Sequence, residues 1–178
     1  MKKRLAFILS ILVMTGCSSL KTVVDYDPEF NFADQKSFAV VHYNQKGDNT
    51  LLNDRLIDAL NMSVKEKGYI KKDKAEADLI FVFHTNAEDK TDIDTDYQMV
   101  GYGRYGYGRH MQATTRTYRY TKGTLIIDAL NPGDNKIVWR GTSTDILKSY
   151  DNPAERTRYI NKVVKETMKE FPSKAMQK

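Results

Sequence analysis

The chain holds one cysteine, Cys17, in 178 residues. No intramolecular disulfide can form, so a folded domain must rest on its buried core. Clustered metal ligands are lacking too: His42, His84 and His110 are the only histidines, and no H-x-x-x-H pair places two of them on one helix face. No G-x-S-x-G elbow presents a serine nucleophile, and no G-x-x-x-x-G-K-[ST] loop cradles phosphate. Asp92-Ile93-Asp94-Thr95-Asp96 opens like a calcium loop, but Tyr97 and Gly103 stand where an EF-hand needs glycine and glutamate. A looser calcium site with Glu88 or Asp89 stays open at this point. No apolar run reaches the about 20 residues a membrane-spanning helix requires. Together these absences leave no catalytic residue, metal ligand or cofactor to name, and the chain reads as a non-enzyme.

What is present begins at the N-terminus. Lys2, Lys3 and Arg4 precede an apolar stretch, Leu5 to Met14, broken by Ser10. A basic start and a short apolar run are the pattern of a secretory signal peptide. The run ends in Val13-Met14-Thr15-Gly16-Cys17, which resembles the lipobox of bacterial lipoproteins, with Met14 in place of the usual leucine. The resemblance implies a signal peptide over residues 1–16, lipidation of Cys17, and a short linker over 17–21. Ser18 rather than aspartate after the cysteine implies the outer membrane of the cell envelope, with the domain in the periplasm.

Removal of residues 1–16 also changes the charge. The whole chain has 28 basic and 23 acidic residues, a net of +5. Without Lys2, Lys3 and Arg4 the balance is 25 against 23, or +2. The basic character belongs partly to the leader, so it gives no argument for nucleic acid as a partner. The remaining 162 residues suit a single domain, expected over 22–172 with a flexible tail at 173–178.

Hydrophobic periodicity orders the domain. Thr22 to Tyr26 reads as a strand stopped by Asp27-Pro28, and Ser37 to Tyr43 as a second. Leu52, Leu56, Leu60 and Val64 recur at spacing four, predicting a helix from Thr50 to Lys67 with Gly68 as its stop. Tyr69-Ile70 suits a short strand. Leu79 to Phe83 is apolar on both faces, as in a strand covered on both sides, or by helices on one side and an interface on the other. Gly123 to Leu130 and Lys136 to Gly141 read as strands flanking the turn Asn131 to Asn135, the latter extendable to Leu147. Asn152-Pro153 with Glu155 caps a last helix ending at Pro172. The fold class is α+β: an antiparallel or mixed sheet with two amphipathic helices packed on one face. Trp139 is expected in the sheet–helix core, with Gly141 allowing close approach.

The middle of the chain is segregated in charge. Glu88 to Asp96 holds five acids and one lysine; Tyr97 to Lys122 holds no acid but Arg104, Arg109, Arg116, Arg119 and Lys122. If the strand from Asp78 continues outward and returns, acids on one arm face Arg116 and Arg119 on the other, and opposite charges across strands support each other. The tip is GYGRYGYGRH, 101–110. Gly101 to Gly106 satisfies G-x-G-x-x-G, but a dinucleotide loop opens a helix, whereas Thr114 to Tyr118 is β-type sequence. The tip residues Tyr102, Arg104, Tyr105, Tyr107 and Arg109 are the candidate binding loop.

Val24-Asp25-Tyr26-Asp27-Pro28, Phe32-Ala33 and Lys36-Ser37-Phe38 resemble the opening of the bacterial lipoprotein family known as domain of unknown function 4136. Gly68-Tyr69, Ala77-Asp78-Leu79, Gly123-Thr124-Leu125, Trp139-Arg140-Gly141 and Phe171-Pro172 follow in that family's order. The resemblance implies fold and location but no reaction. Three functions stay open. The first is a non-catalytic envelope module that binds an envelope protein through its loop. The second binds anionic lipid or lipopolysaccharide through the basic, aromatic tip. The third, ranked last, is an uncharacterised envelope hydrolase.

Overall fold

The leucine stripe at spacing four forms helix α1, Thr50–Glu66, which buries Leu56, Ala59, Leu60 and Val64. Asn49 caps its start, its side chain accepting from the Leu52 amide at 3.1 Å. Gly68 ends it at φ +92, a left-handed conformation that a side chain resists. A computed structural model describes residues 20–43, 47–100 and 110–174.

Six strands form one sheet: β1 (Lys21–Tyr26), β2 (Ser37–Val40), β3 (Ile70–Lys71), β4 (Leu79–Val100), β5 (His110–Leu130) and β6 (Ile137–Ile146), in the order β1-β6-β5-β4-β2-β3. The sheet is mixed. β2 lies parallel to β3 and β4, and the remaining pairs are antiparallel. Helix α2, Pro153–Thr167, starts at Asn152, whose side chain accepts from the Glu155 amide at 2.8 Å. One face of the sheet supplies Leu79, Phe81 and Phe83 from β4, Leu125, Ile127 and Ala129 from β5, and Trp139 from β6 to a single core. Both helices pack into that core through Leu60 and Val64 of α1 and Ile160 and Val164 of α2. Two helices on one face of a mixed sheet is the expected α+β architecture.

Three boundaries depart from the sequence reading. β2 stops at Val40 rather than Tyr43; past it the Val41 amide still donates to the Phe81 carbonyl at 2.8 Å, and His42 stacks on Phe83 at 4.5 Å. α2 ends at Thr167, before Pro172, and the chain makes a further turn through Met168 to seat Phe171. The docked chain also runs past Phe171 into the stretch expected as a tail. Lys174 donates to the Phe32 and Ala33 carbonyls at 2.9 and 2.8 Å, and its amide bonds the Lys67 carbonyl.

Asp78 clips the parallel strands together. Its Oδ2 accepts from the Lys36 and Ser37 amides at 2.9 Å each and from the Ser37 hydroxyl at 2.7 Å. The Ser37 hydrogen bond is the main cause holding this carboxyl below its ordinary value, against the opposing effect of burial. A depressed folded-state value stabilises the fold above the unfolded carboxyl's pKa of about 4, and that contribution disappears as pH falls through the folded value. Asp78→Ala is expected to cost about 1–2 kcal/mol at neutral pH and to flatten the acid side of the stability profile. Thermal melts from pH 2 to 6 check it; an acid limb as steep as that of the parent would refute the assignment.

Candidate functional site: a two-faced hairpin arm

The expected hairpin forms in full. β4 and β5 pair from Ile80↔Leu130 to Val100↔His110, placing Asp94 opposite Arg116 and Glu88 opposite Lys122; Arg119, expected against an acid, faces Thr91 instead, because strand alternation puts it on the other side of the ribbon from Asp92 and Asp94. The two ends differ in what covers them. Near the core, β2 lies against β4 up to Phe81, and β6 lies against β5 up to Lys122, with a last bond from the Leu147 amide to the Thr121 carbonyl. Beyond Asp89↔Thr121, eleven residues on each strand pair only with each other among the described residues. At about 3.3–3.4 Å per residue, this arm extends roughly 37 Å. Both of its edges present unpaired backbone N–H and C=O groups.

Strand alternation gives the arm two unlike faces. On the side continuous with the helix-covered face lie Thr91, Ile93, Thr95 and Tyr97, paired with Arg119, Thr117, Thr115 and Ala113. Outward from Arg119 this face is uncharged, and Ile93 and Tyr97 stand 64% and 65% exposed. On the other side lie Asp92, Asp94, Asp96 and Gln98, with Tyr118, Arg116 and Thr114 opposite the three acids. Asp92, Asp94 and Asp96 therefore form a row on an extended strand, not a calcium loop. Among the described residues no group of three acids or histidines is positioned to hold a metal. At the root, Lys90 pairs with Glu88 at 2.7 Å, and this partner lowers the Glu88 carboxyl's pKa and raises that of the lysine.

The sequence-derived loop residues Tyr102, Arg104, Tyr105, Tyr107 and Arg109 fall between the two arm strands and lie outside the described residues, as does Cys17. What flanks the tip is described: a strand on each side, with no helix. That arrangement is not a dinucleotide-binding unit.

The arm and the N-terminus leave from the same end of the sheet. Lys21 at the start of β1 pairs with Thr144, Thr144 with Thr124, and Thr124 with Asn86. Chain order had given no sign of this, because β1 and β4 are far apart in sequence and joined only through β6 and β5.

Two clefts also escaped the sequence reading. One, of about 320 Å³, is lined by His42, Tyr43, Asp48, Asn53 and His84 among others. Asn53 and Asp48 approach the His42 Nε2 at 2.8 and 3.2 Å. The other, of about 380 Å³, lies between the helices and the arm's root, and Leu20, Leu56, Leu125, Ile160 and Val163 make it apolar. At its rim the Tyr159 hydroxyl donates to Asp145 at 3.0 Å, and burial, with that bond, raises the phenol's pKa well above its usual value. On the sheet's opposite face, buried Asp128 meets Arg140 in two bonds of 2.6 and 2.7 Å.

These features define a class: an α+β domain with one helix-covered sheet and a projecting two-stranded arm. A family model described as "Domain of unknown function (DUF4136)" matches residues 22–173, and the chain belongs to that family. Among solved structures, a PDZ domain protein from Parabacteroides distasonis is similar at TM-score 0.56 and 16% identity; the match covers 87% of this chain and 35% of that one. The chain thus spans about a third of that protein, and the likeness is one of fold. A DUF4136 family protein from Bacteroides thetaiotaomicron is similar at TM-score 0.49 and 14% identity, covering 86% of this chain and 96% of that one. A PelC dodecamer subunit from Paraburkholderia phytofirmans is similar at TM-score 0.49 and 8% identity, covering 84% and 94%. No curated protein matches the chain.

Proposed function

We propose that the protein is a non-catalytic lipoprotein of the outer membrane, anchored through lipid on Cys17, whose domain stands in the periplasm and docks another envelope component with its arm. One observation carries the docking role. A two-stranded ribbon without a covering layer is marginal in water on its own, yet this one runs eleven residues per strand past the core. Both edges are open, and Ile93, Tyr97 and Tyr118 are exposed along it. Strand addition to such an edge is an established mode of recognition. The lipobox-like Val13 to Cys17 supports the anchor.

The test separates the two parts. Labelling cells with radioactive palmitate is expected to mark the parent and not Cys17→Ala. Pull-downs from envelope extracts should lose their partners when the arm, residues 92–118, is replaced by a short turn. An unmarked parent refutes the anchor; an unchanged partner set refutes docking through the arm. The anionic-lipid reading makes a different prediction. The unlipidated domain would sediment with phosphatidylglycerol vesicles, and Arg104→Ala with Arg109→Ala would release it.

A further inference from the structure

The arm's two faces and its direction carry a more specific inference, which rests on the anchor proposed above. From Cys17 to Lys21 the chain spans four residues, a reach of at most about 14 Å. The arm leaves the same end of the sheet and extends roughly 37 Å. With Cys17 held by lipid in the bilayer, the arm outreaches its own tether and must meet the membrane.

A single ribbon cannot enter hydrocarbon, because its edge N–H and C=O groups would be unsatisfied there. Its charged face has the same difficulty, since Asp92, Asp94, Asp96 and Arg116 all project to one side. Both problems disappear if arms from several copies join edge to edge and close. The edges are then paired, the charged face looks into a watery lumen, and Ile93, Thr95, Tyr97, Ala113, Thr115 and Thr117 look outward. Membrane-spanning strands alternate apolar-out and polar-in; here the outward set carries no charge, with Ile93, Tyr97 and Ala113 as its apolar members. Eleven residues per strand also meet the about 9–11 that a tilted strand needs to cross.

Charge selects how copies meet. β4 against β4 would set two rows of Asp92, Asp94 and Asp96 side by side, and like charges across strands repel. β5 against β4 sets the acid row of one copy beside the strand bearing Arg116 in the next. That contact is head-to-tail, and head-to-tail contacts build rings when the rotation closes. We propose that copies of this chain assemble through their β4–β5 arms, β5 edge to β4 edge, into an even-stranded ring whose Thr/Ile/Tyr face contacts the membrane interior.

The experiment uses the mature lipidated protein in vesicles of phosphatidylethanolamine and phosphatidylglycerol. Lipidated Cys17 carries no free thiol, so one introduced cysteine takes one dye. Dyes at 93, 95, 115 and 117 should be quenched by brominated acyl chains at least threefold more than dyes at 94, 96, 114 and 116. Cross-linking in the same vesicles should give closed oligomers, and an entrapped small dye should leak. Ile93→Asp with Thr115→Asp should cut leakage at least tenfold, whereas Lys165→Gln on α2, away from the arm, should leave it. Equal quenching at both sets of positions overturns the proposal. So does alternating quenching of a protein that stays monomeric, which would describe an arm lying on the surface. A dye bound to Cys17 of the parent reports failure of the anchor, separately from failure of the ring.

Discussion

Phe171→Ala is expected to lower stability by about 4 kcal/mol, in the range for removing a fully buried aromatic ring. For a domain of this size that is a fall of about 8–16 °C in melting temperature. The ring is 2% exposed and touches four others. Phe81 and Trp139 lie at 5.2 Å between centroids, Tyr69 at 5.6 Å and Phe32 at 5.8 Å. Three of these contacts are edge-to-face, the arrangement that adds to simple burial. The residue sits beyond α2, on a turn closed by the Phe171 amide on the Met168 carbonyl at 3.0 Å. Lys67 holds that turn from outside as well, its ammonium donating to the Lys169 and Phe171 carbonyls at 3.1 and 2.7 Å. Burial lowers the Lys67 pKa, consistent with an ammonium turned inward. Loss of the ring removes the aromatic anchor of the C-terminal turn and leaves a cavity at the meeting point of β4, β6 and the β1–β2 connection. Calorimetry checks the value. A loss below about 1 kcal/mol would mean that the segment after α2 is not part of the cooperative core.

Much of this was legible in the sequence, for physical reasons that differ by element. The helices were readable because spacing and caps agreed: Asn152-Pro153 and Gly68 act where they were expected. The arm was readable from charge, since acids before Tyr97 and bases after it have a simple explanation in antiparallel pairing, and Asp94 does face Arg116. The mixed sheet was not decided by pattern. Ser37 to Val40 looks the same whether its neighbour is parallel or antiparallel, and the Asp78 clip that fixes the parallel join is made by a residue of ordinary appearance. Asp128 and Arg140 meet only because β5 and β6 pair at that register. The shared end of β1 and the arm is likewise a property of strand order, which local sequence does not encode. The functional reading changed most on this last point, from a loop of suggestive composition to an arm with a direction and two faces.

Gly141→Ala is expected to cost about 2–3 kcal/mol, the overpacking range for a well-filled core, or about 4–12 °C. A methyl built at this position would run into the indole of Trp139 and lie 2.9 Å from the Thr167 Cγ2 and 3.1 Å from the Thr167 carbonyl. Neither neighbour can yield easily. Trp139 is 1% exposed against Phe171, and Thr167 is fully buried, its hydroxyl 2.7 Å from that of Ser143 and bonded to the Val163 carbonyl at 2.8 Å. The Ser143 hydroxyl in turn meets that of Thr22 at 2.8 Å. The added methyl therefore pushes on a chain of contacts that binds α2 to β6 and β1. Relief should depend on which neighbour is trimmed. Thr167→Ser removes the clashing Cγ2 and keeps the hydroxyl chain, yet leaves the carbonyl and the indole in place. Trp139→Phe opens space beside the new methyl at the expense of a smaller core ring. In double-mutant cycles, Trp139→Phe should recover about 1 kcal/mol of the Gly141→Ala loss, and Thr167→Ser less. Additive losses in both cycles, measured by urea unfolding, would show that α2 shifts bodily off β6 to make room. The glycine would then be setting helix–sheet distance and not indole packing.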